Sequence, residues 1–413
     1  MAKILEGVRI ADFTDQVAGS YSTMLLAACG AEVIRVESKL GNGFRKQGPF
    51  GYRGSGVVPK EVQDVPRVGG AIFGELNRGK LSIALNMSTA KGRDLAKQLI
   101  KISDVVIDNF KVGVMQKWGL DYANLKQIKS DIIMVALKSM GETGPYREWR
   151  TWGPNLMSYT GFAYEWGHPD ASEVVGAQGT YIDYIAPVQA ASAVIAALLY
   201  RTRSGMGQHI DLSQAEVGAS LMGPVYLDYL VNSRNALPRG NRHPQFAPYN
   251  CYRCRGDDSW CVIAVFSEGE WQSFCEALDI PSWTGDPKFK NMESRLKNVE
   301  ALDQNIEKWT QYYTPRQVMR ILQDFGVAAG AVQNSEDLYH DLQLRGNGFF
   351  VDQELPGVGK VTYPGIPVHF SETAIEVLHR APFLGEHNGK VYRDLLGLSS
   401  EEIDTLVQEE VVS

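Results

Sequence analysis

The chain has 413 residues, 44% of them apolar and 22% charged, with a formal net charge of −7. That length predicts two or three domains with a sizeable core, and an acidic chain without a Lys/Arg-rich run excludes nucleic acid as the main partner. No signal-peptide pattern opens it and nowhere do about eighteen uncharged apolar residues run together, so a cytoplasmic protein with no membrane partner is expected. The five cysteines, Cys29, Cys251, Cys254, Cys261 and Cys275, suit reduced thiols rather than a disulfide framework. Cys251-Tyr-Arg-Cys254 has the spacing of a zinc or redox pair. No second such pair or paired His follows it at ligand distance, so it reads as two strand cysteines and no metal is expected.

In chain order, residues 8–13 predict a strand, 18–29 a small-residue helix closed by Gly30, and 31–37 a second strand ending in Glu37. This βαβ unit implies a parallel sheet and a Rossmann-like half. Its first turn, Thr14-Asp15-Gln16-Val17-Ala18-Gly19-Ser20, lacks the glycines of the dinucleotide fingerprint. Residues 40–70, rich in Gly, Pro and charge, read as a long loop. Asn77-Arg78-Gly79-Lys80 then turns into a strand, followed by a helix over 89–102, a strand over 105–108, a short helix over 114–118 and a strand over 132–137. Arg78, Lys80, Lys111, Lys117 and Lys138 each read singly as solvated surface charge. Together, in an acidic chain, they predict a positive rim at the carboxyl edge of the sheet that suits a polyphosphate.

Gly179-Thr180-Tyr181-Ile182-Asp183-Tyr184-Ile185-Ala186-Pro187 leads into an alanine-rich helix. Extended entry, Asp183 as N-cap and Pro187 in the first turn are expected, with the helix buried because it is apolar on nearly every face. Locally Asp183 is a structural cap, kept ionised by the helix dipole and by its ordinary pKa of about 3.9. Residues 209–213 predict a strand and 214–231 a helix. An antiparallel hairpin over 250–255 and 260–266, turning at Gly256-Asp257-Asp258, precedes helices over 268–278, 299–312 and 314–325. The organisation expected is α/β: a large Rossmann-like domain over 1–220 completed by about 381–413, a linker over 221–249, a small α+β domain over 250–330 and a return linker over 331–380.

Chemistry is narrowed by what is missing. The seven histidines form no HxxxH or HExxH pair, no GxSxG elbow occurs, and no P-loop is present. A carboxylate nucleophile remains, with Asp183 the acid placed at a helix mouth beside glycine and aromatic residues.

An ordered set of short motifs then points further. Gly30-Ala-Glu-Val-Ile-Arg-Val-Glu37, Asn77-Arg-Gly-Lys80, Asp108-Asn-Phe110, Gly141-Glu-Thr-Gly-Pro-Tyr146, Tyr181-Ile-Asp183, Gly205-Met-Gly-Gln208 and Leu384-Gly-Glu-His387 together resemble the class III (formyl-CoA, carnitine-CoA type) coenzyme A transferases over essentially the whole chain. The resemblance implies two ring-shaped subunits interlocked as a dimer, either a homodimer or a heterodimer with a paralogous subunit. It implies coenzyme A and acyl-CoA as substrates with no resident cofactor. Asp183 would attack an acyl-CoA thioester, passing through an anhydride and an aspartyl-CoA thioester, so that CoA moves from a donor such as succinyl-CoA to a free acid. Gln16, Val17, Lys39, Arg78, Lys80, Asn109, Phe110, Lys117 and Lys138 would contact CoA.

A glycine run that closes over the nucleophile in formyl-transferring relatives is matched here by Gly240-Asn241-Arg242-His243-Pro244-Gln245-Phe246. Asn241, Arg242, His243 and Phe246 would then meet a larger acid, dianionic or aryl-bearing, with Arg242 or His243 as carboxylate clamp; the alternative is a plain domain linker. Acyl-CoA racemases on the same scaffold place a His near Trp152 or Gly153, which this chain lacks. A CoA-binding subunit dependent on a paralogous partner is the other rival.

Overall fold

The computed structural model describes residues 3–39, 45, 70–171, 179–356, 359–373, 375 and 378–413. Apart from Arg45 and Gly70, the loop expected over residues 40–70 lies outside them. The described chain forms two compact units, one of residues 1–162, 178–227 and 346–413, the other of 163–177 and 228–345.

The first unit is built on six strands, β1 (Arg9–Phe13), β2 (Glu32–Glu37), β3 (Leu81–Ala84), β4 (Val105–Asp108), β5 (Ile133–Lys138) and β6 (His209–Ser213), in the order 3-2-1-4-5-6. Every pairing is parallel, with Ala11 level with Ile34 and Val106. A parallel sheet must be covered on both faces, which is why its inner strands β4 and β5 read as nearly unbroken apolar runs. Ala11, Ile34, Val106 and Met134 point to one face, beneath Leu95, Ala96, Leu99 and Ile100 of the helix Ala90–Lys101 and beneath Val391, Tyr392, Val411 and Val412. Their neighbours Ile10, Val33, Val105, Ile107, Ile133 and Val135 point to the other. There they meet Met24, Leu26 and Ala27 of the helix Gln16–Ala28 and Ala190, Val194 and Ala197 of the helix Ile182–Ser204.

The long helix departs from expectation in two ways. It begins at Ile182, two residues earlier than an Asp183 cap would give, with Tyr181 as its cap in helical geometry, so Asp183 is the second helical residue and Pro187 lies inside the helix. Lacking an N–H, Pro187 leaves the Asp183 carbonyl without its i+4 donor. Nor is the helix buried all round: Ala186, Ala190, Val194 and Ala197 form the inner stripe, while Val188, Ile195, Leu199 and Tyr200 are exposed. It is the one helix among the described residues long and apolar enough to cross a membrane.

The region expected as one helix over 214–231 is two, Gln214–Leu221 and Gly223–Asn232. In the second unit β7 (Tyr249–Arg253), β8 (Trp260–Ala264) and β9 (Ala328–Ala331) form an antiparallel sheet, packed by Trp271, Phe274, Leu302, Ile306, Val318 and Leu322. The stretch over 331–380, read as a return linker, carries the hairpin β10 (Phe350–Leu355) and β11 (Gly359–Pro364), which belongs to the first unit.

Charge is buried beside the sheet as a connected set. Asp12, fully buried in β1, accepts from Thr14 (Oγ1 at 2.6 Å), Thr23 (2.8 Å) and Lys80 Nζ (3.2 Å). Arg35 lies 3.5 Å from Glu37 and 3.8 Å from Asp12, and Arg45 forks onto Glu37 at 2.7 and 2.9 Å. Burial alone would raise the Asp12 carboxyl, but Lys80, Arg35 and Thr14 outweigh it and hold it below the usual range. Removing one member strands the others. Asp12→Ala is therefore expected to cost about 3–5 kcal/mol in denaturant unfolding, since it leaves Lys80 buried without its anion.

Candidate active site

Asp183 is half-buried on the first turn of its helix. Its Oδ1 accepts from Gln214 Nε2 at 2.9 Å. Gln214 opens the helix Gln214–Leu221, capped by the Ser213 hydroxyl, and follows directly on β6. The Asp183 Oδ2 lies against Gly153, where even a Cβ would come within 2.4 Å of that oxygen and of Thr180 Cγ2. Burial raises the Asp183 carboxyl above the ordinary aspartate value, while hydrogen bonds from Gln214 and Thr180 pull it back in part. A desolvated carboxylate is a stronger nucleophile than one in water.

Gly153 follows Thr151 and Trp152, which line a cavity of about 350 Å³ with Asn109, Phe110, Lys111, Lys138, Arg147 and Arg150. At its floor Lys138, the last residue of β5, donates to Asp108 Oδ1, the last residue of β4. Burial raises the Asp108 carboxyl and Lys138 opposes the shift. Asp108 Oδ2 and Thr151 Oγ1 are buried with no hydrogen-bond partner among the described residues. Polar atoms left in that state mark a place where a ligand completes the structure.

A second cavity, of about 320 Å³, opens at the carboxyl ends of β1 and β2 and after β3, lined by Thr14, Asp15, Arg35, Ser38, Met87, Phe110 and Trp118 among others. Phe110 walls both cavities and meets Trp118 edge-to-face at 5.3 Å. Ligands of open α/β sheets collect at this edge.

Asn109, Phe110 and Lys138, predicted from sequence, are thus brought together. Asn109 uses its amide on the neighbouring loop, accepting from Asp15 N at 2.7 Å and donating to Asp15 O at 2.6 Å, so it shapes the edge by fixing the turn after β1. Gln16 and Val17 start the helix in that turn, Gln16 with φ of +59°, a strained value for a side chain and one that recurs at functional loops. Lys117 is exposed on the short helix after β4.

Two of the basic residues expected on the rim, Lys80 and Arg78, are turned inward instead. Lys80 precedes β3, and its fully buried ammonium is shared among Asp12, Ser20 O and Asn77 Oδ1, so its three hydrogens are all taken. Burial pushes it down to about 8. Arg78 is likewise buried, bonded to Glu75 at 3.0 Å and Pro364 O at 2.8 Å over the Tyr363 ring. Lys39 is exposed and pairs with Glu410 at 3.1 Å.

Asn241, Arg242, His243 and Phe246 belong to the second unit. Arg242 is committed to Asp303 at 3.0 Å, which also accepts from Asn250 and Tyr252, so a clamp role would require it to leave that pair. His243 and Phe246 stack at 4.8 Å beside Tyr249 and Phe266. Asn241 and Arg242 line a cavity of about 770 Å³ within that unit.

The sequence reading missed Gln214, Thr180 and Arg150. A glutamine entering an apolar helix straight after a capping serine was the available signal.

The profile of CoA-transferase family III matches residues 5–388. The chain is 29% identical over 393 residues to the succinate–glutarate CoA-transferase of Agrobacterium fabrum, covering 95% of each protein. It is 30% identical over 392 residues to the succinyl-CoA:mesaconate CoA-transferase of Haloarcula hispanica, covering 94% of this chain and 95% of that one. The crystal structure of a CaiB/BaiF family protein from Brucella suis superposes with a TM-score of 0.84 at 29% identity, over 96% of this chain and 100% of that one.

Two outcomes follow from the packing of Asp183. Gly153→Ala, in a helical position that tolerates alanine, is expected to displace the carboxylate and lower turnover about 10²-fold or more, with far-UV circular dichroism unchanged. A carboxyl that burial raises contributes stability only where it is protonated, and that contribution is lost as pH rises past the ordinary aspartate range. Asp183→Asn should therefore melt higher than the native protein at pH 7, with the gap closing as pH falls toward about 4.

Proposed function

Because the chain belongs to CoA-transferase family III, we propose that it moves CoA from succinyl-CoA to a second, free carboxylic acid, dicarboxylic or aryl-bearing, with Asp183 as the covalent relay. The observation that carries this reading is the Asp183 carboxylate, half-desolvated, held by Gln214 and backed by a residue with no side chain, one step along the chain from a basic cavity. In this reading Asp183 attacks the thioester carbonyl, the C–S bond breaks, and CoA leaves as thiolate. The thiolate then attacks the Asp183 carbonyl carbon of the anhydride, expelling the donor acid and leaving an aspartyl-CoA thioester. The acceptor carboxylate attacks the same carbon and expels the thiolate, which takes the new acyl group and frees Asp183. One negative charge passes from group to group and no proton need move, so neither metal nor nucleotide triphosphate is called for.

Coenzyme A fits the cavities in kind. Phe110, Trp118 and Met87 offer flat apolar contacts for a base, and Lys111, Lys138, Arg147 and Arg150 offer positive charge for phosphates and the thioester arm. Gln16, Val17, Asn109 and Lys117 complete that edge in the same reading, and Asn241, His243 and Phe246 serve the acceptor acid. Transfer is favoured over racemisation because the residue packed on Asp183 Oδ2 is Gly153, which has no base to offer. The parallel order 3-2-1-4-5-6 supports a Rossmann-like large domain. Leu227, Leu230 and Val231, with Val188 and Leu199, lie exposed and apolar on helices, which supports a cytoplasmic dimer that covers them.

Incubation with succinyl-CoA followed by hydroxylamine or borohydride trapping should label the peptide carrying Asp183. Asp183→Asn should lose the label and on the order of 10⁴-fold in turnover. Since only the ionised carboxylate attacks and burial raises its pKa, kcat/KM should fall on the acid side from a higher pH than an ordinary aspartate would give. A label elsewhere, or full activity in the asparagine variant, would overturn the assignment.

A further inference from the structure

We infer that Gln214 is a catalytic residue, its side-chain amide stabilising the oxyanion that forms on Asp183 itself. The inference rests on the role proposed for Asp183 above. In that cycle the Asp183 carbonyl carbon is attacked twice, by the CoA thiolate on the anhydride and by the acceptor carboxylate on the thioester. Each attack forms a bond to Cγ and pushes the C=O electron pair onto one carboxylate oxygen. Each collapse returns the pair and breaks the bond to the leaving acid or thiolate.

The geometry distinguishes the two oxygens. Oδ2 lies against Gly153, which adds no side chain there, and takes the acyl group in this reading; Oδ1 stays as carbonyl oxygen, and Gln214 Nε2 stands 2.9 Å from it. That distance lies within the range for a donor poised at an oxyanion, and the donor is rigidly placed. Gln214 is buried, its helix is tied to the residue that follows β5 by the bond from Ala215 N to Ser139 O at 2.8 Å, and at Gly218 a Cβ would strike Ile182 Cδ1 at 2.6 Å. The Gln214 helix therefore sits directly on the start of the Asp183 helix, and the amide needs no movement to follow the reaction. A neutral amide suits the task, because a cation would hold the carboxylate too tightly to attack and a carboxylate would repel it.

The test is turnover and adduct formation in Gln214→Met and Gln214→Glu. Methionine keeps the volume and removes the donor. With succinyl-CoA and a dicarboxylic acceptor, Q214M should lose about 10²- to 10³-fold in kcat with KM for the acyl-CoA within about threefold, and rapid-quench intact-mass spectrometry should show the CoA adduct on Asp183 forming correspondingly slowly. Q214E, nearly isosteric, should move the acid limb of kcat/KM to higher pH, since two carboxylates in contact resist double ionisation. Q214M turning over within threefold of the native enzyme, or Q214E leaving the acid limb in place, would overturn the inference. If the native enzyme itself formed no adduct at Asp183, the role of Asp183 would fall, and this inference with it; a native adduct with unaffected variants removes Gln214 alone.

Discussion

A carboxyl group kept half out of water, that of Asp183, is the constraint around which this part of the first unit is built. Its cost is visible in the raised carboxyl of Asp183, and its support comes from neighbours that donate without neutralising, Gln214 and Thr180. Gly153 contributes by having nothing to add. Each comes from a different part of the chain, the helix after β6, the turn before the Asp183 helix and the loop after β5, so the site exists only once the sheet has fixed all three.

The buried charges of β1 to β3 look at first like binding residues and act otherwise. Asp12, Arg35, Glu37, Lys80 and Arg45 pair with one another, and the Lys80 ammonium, shared among Asp12, Ser20 and Asn77, has no hydrogen left for an incoming phosphate. What they secure is the backbone at the sheet's carboxyl edge, where Thr14 and Asp15 turn and Asn109 grips them from the next loop. The positive charge that faces solvent there is supplied farther along, by Lys111, Arg147 and Arg150, with Lys138 buried beneath them on Asp108.

Much of this was legible beforehand. Strands over 105–108 and 209–213 are legible to the residue for two reasons: Val105-Val-Ile-Asp108 is a fully buried run inside the sheet, and His209-Ile-Asp-Leu-Ser213 alternates polar and apolar as an edge strand does. Helix ends were harder. Asp183 has the composition of an N-cap, yet Tyr181 holds that place because Thr180 and Tyr181 carbonyls already accept from Asp183 and Ile185. The inward turn of Lys80 and Arg78 could not be seen either, since a strand-flanking cation looks alike whether it meets water or a buried Asp12. Gln214 gives only a local signal, a glutamine straight after a capping serine, because its partner lies 31 residues away, across β6.

The closing segment of the chain has a role in time as well as in space. Val411 and Val412 pack onto the same sheet face as Ala11 and Ile34, and Val412 bridges Leu85, so the lid over one half of the core is delivered only after all six strands of the sheet. The second unit, by contrast, is encoded in the middle and closes on its own residues. During synthesis the later-encoded body can therefore be finished first, while the older strands wait with one apolar face open, a window in which they depend on chaperones or on speed.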